Sequence, residues 1–221
     1  MSAAARAVVL DVDGTLVDTN YLHVIAWQRA FAGIDLDAPA WSLHRQVGKG
    51  GDKFVAAAAG EEVERQHGDA LRDLHGDHFG ELIDEARPLP GARDLLVALR
   101  ERGVASVLAS SGNADEVEHY LDLLDARKLL AGWTSSGDVS NSKPAPDLVE
   151  VALARVAARP AVMVGDSVWD AVAAERAGIG FIGLRSGGIS ETELRAAGAR
   201  RVYDTAADLA RDLDGAGIGS G

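Results

Sequence analysis

The sequence predicts an α/β fold in which a parallel sheet is interrupted early by a helical insertion. The first observation is a recurrence of short apolar runs, each ending in polar or glycine residues. Ala7-Val8-Val9-Leu10 runs into Asp11, 104–109 into Ser110-Ser111-Gly112, Ala161-Val162-Met163-Val164 into Gly165-Asp166, and Phe181-Ile182-Gly183-Leu184 into Arg185-Ser186-Gly187-Gly188. Runs of this length read as strands buried on both faces. The second is the set of amphipathic stretches between them, 92–102, 114–124, 146–158 and 169–177, which read as helices. Strands alternating with helices make a parallel sheet. Ligands of such sheets bind beyond the carboxyl ends of the strands, where the polar residues just named fall.

The third observation is a stretch, 18–87, with helical periodicity at 23–32, 52–59 and 61–85 and no clear strand. Pro88-Leu89-Pro90-Gly91 punctuates its end. The expected division is a core made of 1–17 and 88–214, a helical insertion over 18–87, and a glycine-rich frayed tail over 215–221.

Composition narrows the function. The chain has 221 residues, enough for a sizeable core without staples. Its 22 Lys+Arg against 34 Asp+Glu give a net charge of −12, which repels a phosphate backbone and argues against a nucleic-acid partner. Cys is 0, excluding disulfides, thiolate catalysis and cysteine-held metals, and fitting a cytoplasmic location. Aromatics at 5% offer no stacking platform for single strands. No apolar run reaches the ~18 residues of a membrane span. The N-terminal stretch meets Asp11 too soon for a signal peptide.

The strand ends carry the chemistry. Asp11 and Asp13 are two apart on a strand continuation and point the same way. Held together they repel unless a cation intervenes, and a hard oxygen-liganded ion such as Mg2+ meets that need. One carboxylate can then act as a nucleophile. Gly14 allows a sharp turn. Ser110 and Ser111, followed by Gly112-Asn113 at a helix start, form a candidate anion cradle of hydroxyls and free N–H groups. Lys143, in a proline-stiffened loop, offers a fixed ammonium. Asp166 and Asp170, four apart at a helix start, share a face. Each feature alone has a bland reading as a turn, cap or surface charge, but all gather at one sheet edge.

The set Asp11-x-Asp13-Gly14-Thr15, Ser110, Lys143 and Gly165-Asp166-x-x-x-Asp170 resembles the haloacid dehalogenase-like hydrolase superfamily across nearly the whole chain. The insertion after the first motif resembles its helical-cap subgroup, which includes phosphoglycolate phosphatase and beta-phosphoglucomutase. The resemblance implies a Rossmann-like core with an α-helical cap and an aspartyl-phosphate on Asp11. It makes Asp13 the general acid/base, Ser110 a phosphoryl ligand, and Lys143 the charge neutraliser. Mg2+ would be held by Asp11, Asp166 and the Asp13 backbone carbonyl, with Asp170 supporting the shell. Phosphate contacts fall to Asp11, Gly14, Ser110, Ser111 and Lys143. A neighbouring carboxylate and partial burial are expected to raise the Asp13 pKa, so that it starts the reaction protonated.

Specificity is expected from the cap. In His44-Arg45-Gln46-Val47-Gly48-Lys49-Gly50-Gly51, Lys49 first and Arg45 second supply positive charge to a ligand. His23 and Trp27 share a helix face near the hinge, as a His and a Trp do in beta-phosphoglucomutase. His67, His75 and His78 read as a solvated helix face, since their spacing is no zinc pattern. The Gly-Asp-Ser-x-x-Asp form of the last motif favours a phosphatase of a small phosphate ester over a phosphosugar mutase. A non-catalytic phosphate-binding domain is the minor alternative. The expected assembly is a monomer or homodimer.

Overall fold

The computed structural model describes residues 4–156 and 158–219. In chain order, β1 (Ala7–Leu10) leads through a tight loop to β2 (Val17–Asp18), then α1 (Asn20–Ala32), α2 (Ala40–His44), α3 (Gly51–Ala59) and α4 (Glu61–Gly80). The chain returns through β3 (Arg87–Pro88) to α5 (Ala92–Glu101), β4 (Ala105–Ala109), α6 (Ala114–Leu123) and β5 (Gly132–Thr134). It ends with α7 (Asp147–Ala154), β6 (Ala161–Gly165), α8 (Val168–Arg176), β7 (Gly180–Leu184), α9 (Glu191–Ala196), β8 (Ala199–Tyr203) and α10 (Ala206–Arg211).

Six strands form one parallel sheet in the order β5-β4-β1-β6-β7-β8. The apolar runs are continuous because alternate residues feed two cores. Val8 and Leu10 of β1, with Val162 and Val164 of β6, pack with Leu95, Leu96 and Leu99 of α5 and Leu209 of α10. Ala7, Val9 and Met163 face the other side, with Leu148 and Val149 of α7 and Ala173 of α8. Burying one leucine-sized side chain is worth about 1.5–3 kcal/mol, so a polar substitution on either face of β1 strikes a filled core.

The four helices α1–α4 enclose a third core of Val24, Trp27, Phe31, Leu43, Phe54, Val55 and Leu71. The antiparallel pair β2–β3 joins the chain where it leaves and re-enters the sheet domain, with Val17 opposite Pro88 and Asp18 opposite Arg87. Periodicity alone missed these two-residue strands, because alternation needs several residues to show. It also missed β5, which is three residues long, and β8, whose Arg200 and Arg201 are exposed on the sheet edge. Charged side chains there discourage edge-to-edge pairing and erase the apolar signal.

The expected frayed tail is corrected over its described part. The Ala5 N–H donates to the Gly217 carbonyl and the Gly219 N–H to the Ala5 carbonyl, while Ile218 is buried. The apolar Ile218 anchors the segment against the sheet domain despite its glycines. Ser220 and Gly221 lie outside the described residues. Among those described, no helix is long and apolar enough to cross a membrane.

Candidate active site

β1, β4 and β6 are neighbours in the sheet, so their carboxyl ends deliver Asp11, Ser110 and Asp166 to one edge. Beyond β1 the chain turns at once. The N–H groups of Thr15, Leu16 and Val17 all donate to the Val12 carbonyl, and Gly14 sits at φ 73°. A side chain at Gly14 would run into Asn20 and the Asp166 carboxylate. The turn and the close approach therefore both demand glycine.

Asp11, Asp166 and Asp170 are all buried, and each offers a carboxylate oxygen within 4.8 Å of the others'. Lys143 is completely buried beside them. Its ammonium pairs with Asp11 Oδ1 and lies 2.9 Å from Asp170 Oδ1. Thr15 Oγ1 bridges Asp11 Oδ2 at 3.3 Å and Asp166 Oδ1 at 3.2 Å. Asp170 is held from the other side, its Oδ2 accepting from the Ser167 N–H (3.1 Å) and hydroxyl (2.7 Å) at the cap of α8.

Three buried carboxylates against one ammonium leave an excess of negative charge. Burial, then the Asp170 charge, push Asp11 well above the ordinary carboxylate range despite Lys143. The same two causes push Asp166 up to about 7. For Lys143, burial opposes the charge, but the facing Asp11 and Asp170 outweigh it and hold the amine above its ordinary value. This donor set, all hard oxygens with surplus charge, fits a divalent cation such as Mg2+.

Asp13 behaves contrary to the sequence-based expectation. Burial pushes its pKa up, but donors from the His23 ring and the Thr19 hydroxyl outweigh it and hold the carboxyl below the ordinary value. Its Oδ1 lies 2.6 Å from Thr19 Oγ1 and 3.3 Å from His23 Nε2. The partners that face it come from the start of the cap, so donors rather than a second carboxylate dominate. His23 is held above its ordinary value in turn: burial opposes, but the bond and charge of Asp13 prevail.

A cavity of about 300 Å³ opens over Asp11 and Asp13 between core and cap. Lys49, Gly48, Arg72 and His75 line it from the cap, and Ser111, Asn113 and Glu116 from the core. Ser111 reaches this cavity; Ser110 is wholly buried behind it, its Oγ accepting from the Gly112 N–H at 3.0 Å. The expected row of free N–H groups is partly spent. The Asn113 N–H donates to Glu116, and the Glu116 N–H to Asn113, in a reciprocal cap of α6. The spacing Asn113-x-x-Glu116 carries that signal in the sequence.

Arg45 is not in the cavity. It pairs with Glu193 on the outside and ties the cap to α9. α2 ends at His44 and the chain turns through 45–49, with Gly48 at φ 95°, so Lys49 reaches the cavity wall while Arg45 does not. The assignment of His75 to a solvated face is also overturned; His67 alone of the three histidines is exposed. His75 Nε2 lies 3.2 Å from His23 Nδ1, and its ring stacks 4.1 Å from Trp27. Phe54 covers the other face of Trp27 at 4.2 Å.

Three residues escaped the sequence reading. Asn20, the first residue of α1, donates to Asp166 Oδ2 (2.9 Å) and the Gly187 carbonyl (3.3 Å). Gly187 lies in the Arg185-Ser186-Gly187-Gly188 turn, whose Ser186 hydroxyl donates to the Gly14 carbonyl at 2.7 Å. Arg72 lines the cavity but is committed to Glu64 (2.9 Å) and Asp69 (2.7 Å). Its i, i+3 relation to His75 on α4 was the available clue. Glu116, raised above its ordinary value chiefly by burial, completes the wall.

Residues 5–178 match the family model described as haloacid dehalogenase-like hydrolase. A phosphoglycolate phosphatase of Escherichia coli is 30% identical over 206 residues, covering 82% of each chain. The CbbY protein of Cereibacter sphaeroides is 28% identical, covering 92% of this chain and 94% of its own. Among solved structures, a hydrolase from Pseudomonas syringae superposes with a TM-score of 0.89 at 32% identity, covering 97% of this chain and 99% of that one.

Proposed function

The chain belongs to the haloacid dehalogenase-like hydrolases, and from that membership we propose that it hydrolyses a small phosphate monoester through a phosphoenzyme on Asp11, with Mg2+ as cofactor. The observation that carries the reading is the buried Asp11 carboxylate, fixed between Lys143 and Asp166 at the floor of the cavity between core and cap. Its similarity to phosphoglycolate phosphatases supports the reaction class.

An Asp11 oxygen attacks phosphorus as the bond to the ester oxygen breaks, and Asp13 gives that oxygen its proton. In the second step Asp13 takes a proton from water, the water oxygen bonds to phosphorus, and the bond to Asp11 breaks. The products are the alcohol and inorganic phosphate. Asp13 rests as a carboxylate bonded to His23 and Thr19; an arriving dianion raises its pKa and draws the proton onto it. Lys143 stays charged throughout and faces the developing negative charge. Asp11, Asp166 and the Asp13 backbone carbonyl would hold Mg2+, with Asp170 bracing Lys143 and the shell. When bound, the ion offsets repulsion between the ester and the carboxylates.

The test is phosphate release across a panel of phosphorylated metabolites. One phosphate per alcohol is expected, lost in EDTA and restored by Mg2+. Isomerised ester without free phosphate would make the protein a phosphosugar mutase; binding without turnover would make it a non-catalytic domain.

Metal binding must displace a proton from Asp166 below about pH 7. Between about pH 8 and about pH 6, the Mg2+ concentration for half-maximal activity is expected to rise about tenfold. A flat Mg2+ requirement over that range would contradict the raised carboxylate.

Lys49 is the cavity cation without a carboxylate partner among the described residues, its ammonium 2.8 Å from Gln46 Oε1. We assign it the selection of substrate. Lys49→Ala is expected to cut discrimination between a carboxylate-bearing ester and an uncharged one about tenfold, as kcat/KM ratios. An unchanged ratio would reject the assignment.

A further inference from the structure

The loop that carries Lys49 touches the core at one side chain in particular. Trp169, in the first turn of α8, lies outside the cavity lining. Lys49 Nζ sits 3.9 Å from the centre of its ring, and its Nε1–H donates to the Arg45 carbonyl at 3.3 Å. Gly48, between the two contacts, is at φ 95°, and a Cβ there would press on Ser167 and lie 3.3 Å from Trp169 Cδ1. The loop therefore needs a bare backbone to close this far onto the indole.

We infer that Trp169 is a core-borne positioning residue for substrate selection: its indole face holds the Lys49 ammonium at the cavity wall, and its N–H fixes the loop that carries it. The inference rests on the reading of Lys49 as the selecting cation. A lysine chain is long and rotamer-rich, and a free ammonium on a half-buried loop samples many positions. The π face confines it with no opposing formal charge, so the cation stays available to an anionic group in the cavity. A carboxylate in place of the ring would neutralise it. Burial holds the amine below its ordinary value, so the ring acts on an ammonium already partly stripped of water. Because the ring belongs to the core and the lysine to the cap, the selecting charge is in place only when the two are closed together.

The experiment compares Trp169→Leu, Trp169→Phe, Lys49→Ala and the double variant Lys49→Ala/Trp169→Leu. Each is assayed with phosphoglycolate, which carries a second anionic group, and with nitrophenyl phosphate, which does not. Trp169→Leu is expected to lower the ratio of the two kcat/KM values about tenfold, with the loss in KM for phosphoglycolate rather than in kcat. Trp169→Phe keeps a π face and retains most of the ratio. The double variant falls no further than Lys49→Ala, since the ring acts through the lysine. Independently, the Lys49 side-chain methylene protons should show an upfield ring-current shift that Trp169→Leu abolishes and Trp169→Phe keeps.

Additive losses in the double variant, or a shift in the Mg2+ requirement of Trp169→Leu, would overturn the inference in favour of a packing role beside Asp170. If Lys49→Ala alters the ratio and Trp169→Leu does not, this inference fails while the role of Lys49 stands. If Lys49→Ala leaves the ratio unchanged although the ring-current shift is present, the reading of Lys49 fails and takes the inference with it.

Discussion

Asp11→Asn is expected to lower turnover of every phosphate ester by about 10⁴-fold or more while leaving the fold intact. The amide keeps the shape of the side chain but has no anionic oxygen to attack phosphorus. The two consequences can be read separately. In the folded protein the Asp11 pKa is raised above its unfolded value, so the folded state prefers the protonated form. The ionised form therefore subtracts stability once pH rises above the unfolded pKa, and the cost is greatest above the folded one. A neutral amide removes that cost. In EDTA at neutral pH the variant should melt no lower than the wild-type protein, and added Mg2+ should stabilise it less. Wild-type turnover would eliminate the covalent route; a large drop in melting temperature in EDTA would eliminate the surplus of buried charge.

Lys143→Met is the second large effect, and it strikes both stability and rate. The folded pKa of Lys143 is raised above its unfolded value, so its stabilisation is fully present below the unfolded pKa and is lost as pH rises through the folded one. At neutral pH the whole contribution is in force. Methionine fills a similar volume but leaves Asp11, Asp166 and Asp170 without their ammonium. Removing one member of a buried pair costs about 3–5 kcal/mol. Part of that should be relieved as Asp11 and Asp166 take up protons, and part by Mg2+. Denaturant unfolding in EDTA and in Mg2+ measures both parts. Turnover of the folded variant should fall about 10³-fold, because a charge aimed at the transferring group is gone. Near-normal activity with Mg2+ would show that Lys143 serves the fold alone.

Much of this site was legible before the fold was seen. Asp11, Asp13, Asp166 and Asp170 stand at fixed short spacings after apolar runs, and a strand's direction carries such residues to the sheet edge. The chain's low aromatic content hid a different fact: Trp27, Phe54 and Phe79 gather with His23 and His75 inside the cap. His75 sits among polar residues on a helix with many charges, so periodicity assigned it to solvent. Only the packing of α1 against α4 shows it facing His23. The glycine-rich loop offered Lys49 first and Arg45 second as bases for a ligand, and only the turn of the loop shows that Lys49 lines the cavity while Arg45 pairs with Glu193.

By itself the sequence determined the α/β order, the helical insertion and the residue types at each strand end. Those follow from local spacing, which covalent geometry transmits over a few residues. Tertiary structure alone decided that Lys143 is buried, that donors rather than a carboxylate face Asp13, and that Trp169 lies under Lys49. Each of these depends on distances of a few ångströms between groups far apart along the chain. Charge and hydrogen-bond energies change steeply over that range, and faster still where water is excluded.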